Sequence, residues 1–137
     1  MTLYVELVVP EGQVWSGDAQ RVIAKTLDGD IGLLAGHAPV LGILAEGSLV
    51  RILPEDGGPA REIRAAVGGG FLSIADDRVS ILARQAELGE RVDPAAAQAA
   101  LDAALRDAEG GDPGRAGGES AEVRYARALL RATGEQG

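Results

Sequence analysis

Thr26-Leu27-Asp28-Gly29-Asp30-Ile31-Gly32-Leu33-Leu34-Ala35-Gly36-His37-Ala38-Pro39-Val40-Leu41 sets three glycines, a proline, two acids and the only histidine of the chain among apolar residues that would otherwise continue as strands. Gly29, Gly32 and Gly36 permit backbone angles that side chains resist, and Pro39 removes an amide donor. The segment is expected to fold back on itself as a shaped loop, and such a loop presents its side chains outward to a partner.

On both sides of this loop the chain reads as short strands. Leu3, Val5, Leu7 and Val9 alternate with Tyr4, Glu6 and Val8, a period of two that predicts a half-buried strand closed by Pro10-Glu11-Gly12. Residues 13–15 predict a strand that stops at Ser16-Gly17-Asp18, and residues 21–26 one that stops at Asp28-Gly29. Residues 48–53 alternate before the turn formers Pro54-Glu55-Asp56-Gly57-Gly58-Pro59, and residues 61–67 pair back onto them. Beyond Gly68-Gly69-Gly70, residues 71–75 and 79–83 predict a hairpin around Asp76-Asp77. Strands this short, with a turn every ~8–12 residues, predict an antiparallel β-sandwich or flattened barrel over residues 1–88.

The composition then changes. Asp93-Pro94 is a helix start, the Asp accepting from free amides and the proline sitting where its missing donor costs nothing. Eight of the fourteen residues 95–108 are alanine, the best helix former, with Ala97, Leu101, Leu105 and Ala108 as one apolar stripe. Ser120 caps a second helix through Ala132, with the stripe Val123, Ala126 and Leu130, and Thr133-Gly134 ends it. Residues 89–137 thus predict a two-helix antiparallel hairpin with a Gly-rich joint at 109–119. Its stripes are mostly alanine, so it is weakly self-stabilised and is expected to dock against something else or to move.

Bulk composition narrows the function. Aromatic content is 3% against 46% hydrophobic, so the core must be aliphatic. A net charge of -8, with Lys25 the single lysine, argues against nucleic-acid binding, which needs concentrated cations. The absence of cysteine and the single histidine exclude disulfides, thiolate zinc sites and polyhistidine metal sites. The first residues lack a basic start followed by an apolar run, and no apolar stretch approaches ~18 residues, so neither a secretion signal nor direct membrane insertion is expected. His37 has no nucleophile or second imidazole to complete a catalytic site. Two readings of it stay open: a turn histidine of structural value, and a contact to another protein. Gly68-Gly69-Gly70 runs into a strand and lacks the Lys-Ser or Lys-Thr of a phosphate loop, so it reads as a turn or a close strand approach.

Several segments carry a resemblance. Asp28-Gly29-Asp30-Ile31-Gly32-Leu33-Leu34, Gly36-His37-Ala38-Pro39-Val40-Leu41, Leu44-Ala45-Glu46-Gly47-Ser48-Leu49, Leu7-Val8-Val9-Pro10-Glu11-Gly12 with Trp15-Ser16-Gly17, Val67-Gly68-Gly69-Gly70-Phe71-Leu72 and Val79-Ser80-Ile81-Leu82-Ala83 resemble, in order and spacing, the epsilon subunit of F-type ATP synthases, called delta in mitochondria. Ala35 stands where that family usually has proline. The resemblance covers essentially the whole length and implies an epsilon-type sandwich followed by a helical hairpin. It implies a non-catalytic rotor subunit of the central stalk, with the gamma subunit, the membrane ring of c subunits and the alpha/beta catalytic head as partners. It also implies a peripheral location on the cytoplasmic face of the cell membrane.

The resemblance implies site residues as well. Asp30, Leu34 and His37 correspond to the loop that meets the rotor ring. Arg124, Arg127 and Arg131 share one face of the second helix, which fits either a solvated basic face or docking to the acidic catalytic head, where the family's hairpin blocks hydrolysis. ATP as a regulatory ligand would draw on Asp102, Arg106, Arg124 and Arg127. Arg106 comes one residue late for the family's Leu/Ile-Asp-x-x-Arg-Ala motif, a rotation of about 100° off that face. The competing class is a free-standing small-molecule-binding β-sandwich with the hairpin as a dimerisation element. The aromatic residues that line such pockets are scarce.

Overall fold

The computed structural model describes residues 2–55, 61–109 and 120–134. Among them, seven strands precede two helices: β1 (Leu3–Val9), β2 (Gly12–Thr26), β3 (Gly29–Leu34), β4 (Val40–Ile43), β5 (Ser48–Pro54), β6 (Ile63–Ala75), β7 (Arg78–Leu88), α1 (Pro94–Glu109) and α2 (Ala121–Ala132). Residues 56–59 of the expected turn and residues 110–119 of the expected Gly-rich joint lie outside the described residues.

The strands run in the hydrogen-bonded order β1-β7-β6-β5-β2-β3, with β4 on β6 and β1 also paired to β2. Two long strands make this a sandwich by changing partners along their length. β2 pairs β1 through Ala19, β5 from Ala19 onward and β3 from Arg21 onward, with an irregular register against β5 between Ala19 and Arg21. β6 pairs β5 up to Val67 and β4 from Phe71 onward. The pairings are antiparallel except for β1 with β7, which is parallel and departs from the antiparallel pattern expected throughout.

Three expected boundaries move. The break at Ser16-Gly17-Asp18 does not occur, because Ser16, Gly17 and Asp18 pair with Glu6, Val5 and Tyr4 of β1. A Cβ on Gly17 would lie 3.1 Å from the Trp15 ring, so this glycine makes room for an indole within a strand. Gly68-Gly69-Gly70 lies inside β6, where Gly69 (φ +72°) and Gly70 (φ +129°) bend the strand between its two partners. Much of the stretch 26–41 is strand, β3 and the start of β4, and only residues 35–39 form the loop between them.

The core between the layers is aliphatic, as the composition requires. Leu3, Leu7, Val22, Leu33, Val50, Ile52, Leu72 and Ile81 are fully buried, and Trp15 packs on this cluster only in part.

Both helices begin on the expected caps: Asp93 Oδ1 accepts from Ala95 N at 3.0 Å and Ser120 Oγ from Val123 N at 3.2 Å. Gly134, at φ +93°, donates to Arg131 O at 3.0 Å and closes α2. Ala97 and Leu101 of α1 meet Val123, Ala126 and Leu130 of α2, with Leu105 half-buried beside them. Ala108 of the expected stripe is outside the described side chains. α2 lies between α1 and the sandwich, where Ala128 and Ala132 rest on Ala66 with Leu49 and Tyr125 alongside.

Tyr125 gives this docking a pH dependence. Burial first, and the charge of Glu87 second, push its hydroxyl up to about 12. A raised phenol favours the docked state only while the undocked side chain titrates near its ordinary value of 10, so the contribution is whole below that pH and is lost as pH climbs toward about 12. Amide exchange of α2 followed from pH 9 upward, with exchange normalised for pH, should show protection falling across that window and the fall disappearing in Tyr125→Phe. A fall of equal size in Tyr125→Phe would assign it elsewhere.

Candidate functional site

The loop between β3 and β4 is shaped by a few local bonds. Thr26 Oγ1 accepts from Asp28 N at 3.1 Å and donates to Gly29 O at 2.8 Å, which fixes the β2–β3 turn. Gly29 and Gly36 take φ of +115° and +84°, whereas Gly32 sits in the strand with open space around it. His37 N donates to Leu34 O at 3.1 Å, and Gly36 N donates to Asp77 Oδ1 at 2.6 Å, which ties the loop to the β6–β7 turn. His37 Nδ1 lies 2.7 Å from Ala38 O, and a carbonyl only accepts, so Nδ1 carries the proton and Nε2 is the acceptor nitrogen of the ring. Leu34 is exposed beside it. Among the described residues, no group of three His, Asp or Glu side chains is placed to hold a metal.

Asp30 does not share this site. It pairs in register with Lys25 at the opposite end of β3, about 13 Å of strand from Leu34, and lines a different groove. That groove, of about 530 Å³, lies between α2 and the β2–β5 surface. Arg124, Arg127 and Arg131 all line it together with Lys25, Arg51 and Glu46, so the face of α2 that carries them borders the groove. Arg51 is bidentate on Glu62, and this hydrogen bond is the main reason the Glu62 carboxyl titrates below its usual range. Glu46 pairs with Arg84.

Asp102 and Arg106 are exposed on α1 and do not line that groove. Gln98 Nε2 donates to Asp102 Oδ1 at 3.0 Å, so the bonded neighbour of Asp102 lies one turn before it and Arg106 one turn after. The four nucleotide candidates are therefore divided, two on each helix, and only Arg124 and Arg127 converge.

A surface not anticipated from the sequence lies on the other layer. Ile43 stands opposite Phe71, Phe71 opposite Leu82, and Leu82 opposite Val8, one row across β4, β6, β7 and β1. Ile43 is 60%, Phe71 42% and Leu82 39% exposed, and Leu41, on the same face of β4, is 71% exposed. A shallow groove of about 410 Å³ runs along Val8, Pro10, Phe71 and Leu82. Contiguous apolar side chains open to water mark a protein contact. The available signal was that strands 71–75 and 79–83 carry large apolar residues on both faces, where one solvated face should be polar.

Comparison with known proteins agrees with this architecture. Residues 2–89 match the family described as ATP synthase, Delta/Epsilon chain, beta-sandwich domain. The chain is 51% identical over 133 residues to the ATP synthase epsilon chain of Thermobifida fusca, covering 95% of this chain and 90% of that one. It is 42% identical over 130 residues to the epsilon chain of Streptomyces avermitilis, covering 95% and 94%. In fold it is similar to a chain of the Euglena gracilis mitochondrial ATP synthase (OSCP/F1/c-ring, rotational state 1), with TM-score 0.72 at 19% identity over 97% of this chain and 79% of that one. By the match over its sandwich and the identity along nearly its whole length, the chain belongs to the ATP synthase delta/epsilon family.

Proposed function

We propose that the exposed row Ile43, Phe71, Leu82 and Val8 seats the gamma subunit, and that the loop bearing Leu34 and His37 meets the membrane ring of c subunits. The chain is an epsilon-type stalk subunit of a rotary ATP synthase and has no catalytic role of its own. Torque transmission needs a stiff body held between two partners, and an aliphatic sandwich packed to near-zero exposure supplies one. The observation that carries the reading is the apolar row, because water-exposed Phe, Ile and Leu in register on adjacent strands favour burial against another protein. The row continues through Leu41 toward the 35–39 loop, so the two proposed contacts adjoin each other. Among the described residues, no helix is long and apolar enough to cross a membrane, which fits a peripheral place, proposed here as the cytoplasmic face of the cell membrane.

The division into a sandwich, 1–88, and a hairpin, 89–137, belongs to the same proposal. The sandwich carries the stalk contacts. The hairpin restrains ATP hydrolysis when α2 leaves the sheet and turns Arg124, Arg127 and Arg131 to the acidic catalytic head.

The gamma contact is tested by binding of the full chain to purified gamma from its own organism. Phe71→Asp with Leu82→Asp should weaken binding about tenfold or more, because two charges are then desolvated at the centre of the contact. The two aspartates stand opposite each other on β6 and β7 and repel, so the melting temperature should fall, and binding is compared at a temperature where the double variant is folded. Binding at the wild-type level by the double variant would move the gamma contact off this face.

A further inference from the structure

We infer that Asp77 is the positioning residue of the 35–39 loop, a carboxylate held in an unfavourable backbone conformation so that it can fix Gly36. The β6–β7 turn contains two residues, Asp76 and Asp77, at φ +51° and +61° between the paired Ala75 and Arg78. Two positive φ values in a two-residue hairpin form the pattern that favours Asn-Gly or Asp-Gly, with glycine second. Asp77 occupies that second place and bears the strain of a side chain in the left-handed region.

Its contacts account for the choice. Asp77 Oδ1 accepts from Gly36 N at 2.6 Å, across 41 residues of sequence. Its backbone oxygen accepts from Tyr4 N at 2.9 Å, and Arg78 stacks 5.2 Å over the Tyr4 ring. One residue thus joins three segments: the start of β1, the β6–β7 turn and the loop that presents His37. Gly36 itself is at φ +84°, next to a histidine whose imidazole is already turned to Ala38 O. Leu34 is held by its own pairing with Arg21 at the end of β3, so the tether acts on the segment beyond it, Gly36 and the adjoining His37. Glycine at 77 would relax the turn and release the loop. Aspartate keeps the loop and accepts the strain.

The consequence for the ring contact rests on the reading of this loop as ring-facing, whereas the tether itself does not. Asparagine and glycine both suit a left-handed turn position, and only asparagine retains an oxygen that can accept from Gly36 N. Full-length Asp77→Gly and Asp77→Asn are therefore compared with the wild type by amide exchange and by melting. Exchange at Gly36 should rise about tenfold in Asp77→Gly and stay near wild type in Asp77→Asn, with both variants melting at or above the wild-type temperature. Wild-type Gly36 protection in Asp77→Gly overturns the inference, since the turn alone would then hold the loop.

Binding to the detergent-solubilised rotor ring of the same organism separates the two readings. Affinity should fall several-fold in Asp77→Gly and be held in Asp77→Asn. If Gly36 exchange responds as expected while ring binding ignores both Asp77→Gly and Leu34→Asp, the tether stands and the ring-facing reading falls.

Discussion

Gly70→Ala is expected to cost the sandwich its stability, lowering the melting temperature by about 10 °C or more. Two independent penalties meet at this position. The backbone takes φ +129°, an angle that L side chains rarely adopt, and a Cβ built there lies 2.0 Å from Leu82 O and 2.7 Å from Ala83 Cα. Neither neighbour is a flexible side-chain end, because both belong to the backbone of β7, the strand paired with this one. Relief requires β6 to move off β7 at the point where β6 changes partners, and Gly70 O also accepts from Leu44 N at 2.9 Å, so β4 is carried with it. Strain of ~1–3 kcal/mol from the backbone alone, with the clash added, takes a large part of the ~5–15 kcal/mol that holds a domain folded. Gly32→Ala is the control: Gly32 has nothing within 4 Å and no positive φ, so its melting point should move by a few degrees at most. Wild-type melting by Gly70→Ala would show that β6 bends without needing this glycine.

The same glycines show where the sequence could be read and where it could not. Alternation across Leu3, Val5 and Leu7 and the caps Asp93 and Ser120 are local signals, written in residues that act within one turn or one strand, and the structure keeps them. Gly17, Gly69 and Gly70 are punctuation only in isolation. Their meaning is set by what they pack and pair with: Gly17 makes room for the ring of Trp15 and pairs with Val5 of β1, and Gly70 lies against the β7 backbone, so runs that look like turns stay inside strands. β4 is hidden because its partner, β6, is distant, whereas β3 pairs locally with β2 across Leu27-Asp28 and is masked by glycines that read as loop.

The candidate surfaces divide along the same line. Leu34 and His37 are three residues apart and joined by a backbone hydrogen bond, whereas Asp30, four residues before Leu34, is carried by an extended strand to the arginine groove. The face of Ile43, Phe71, Leu82 and Val8 draws one residue from each of four strands. No local window contains it, and only the register assembles it.

Gly89→Ala should lift α2 off the sandwich while leaving the sandwich folded. A Cβ at Gly89 lies 2.0 Å from Ala132 O and 2.7 Å from Ala132 C, at the last turn of α2, and Gly89 has no positive φ, so the effect is steric alone. Gly47 makes the matching approach near the start of the helix, where a Cβ would lie 2.3 Å from Arg124 C, but at φ +62° its replacement would mix strain with clash. Ordinary contact begins near 3.4 Å, so the helix end must retreat by more than an ångström in Gly89→Ala. What lies under α2 resists that retreat weakly. Ala128 and Ala132 on Ala66 bury little more than methyl groups, each worth about 0.8 kcal/mol, and a helix so seated loses most of its contact when it tilts. Amide protection of α2 should therefore fall at least about tenfold while that of β1, β6 and β7 is unchanged, and protection equal to wild type would show that the seat yields without releasing the helix. If the released hairpin restrains hydrolysis, the assembled enzyme carrying Gly89→Ala should hydrolyse ATP more slowly than wild type and one lacking residues 89–137 faster. These opposite signs separate an inhibitory hairpin from one that merely fills space: damage to assembly would lower both rates, and a passive hairpin would change neither.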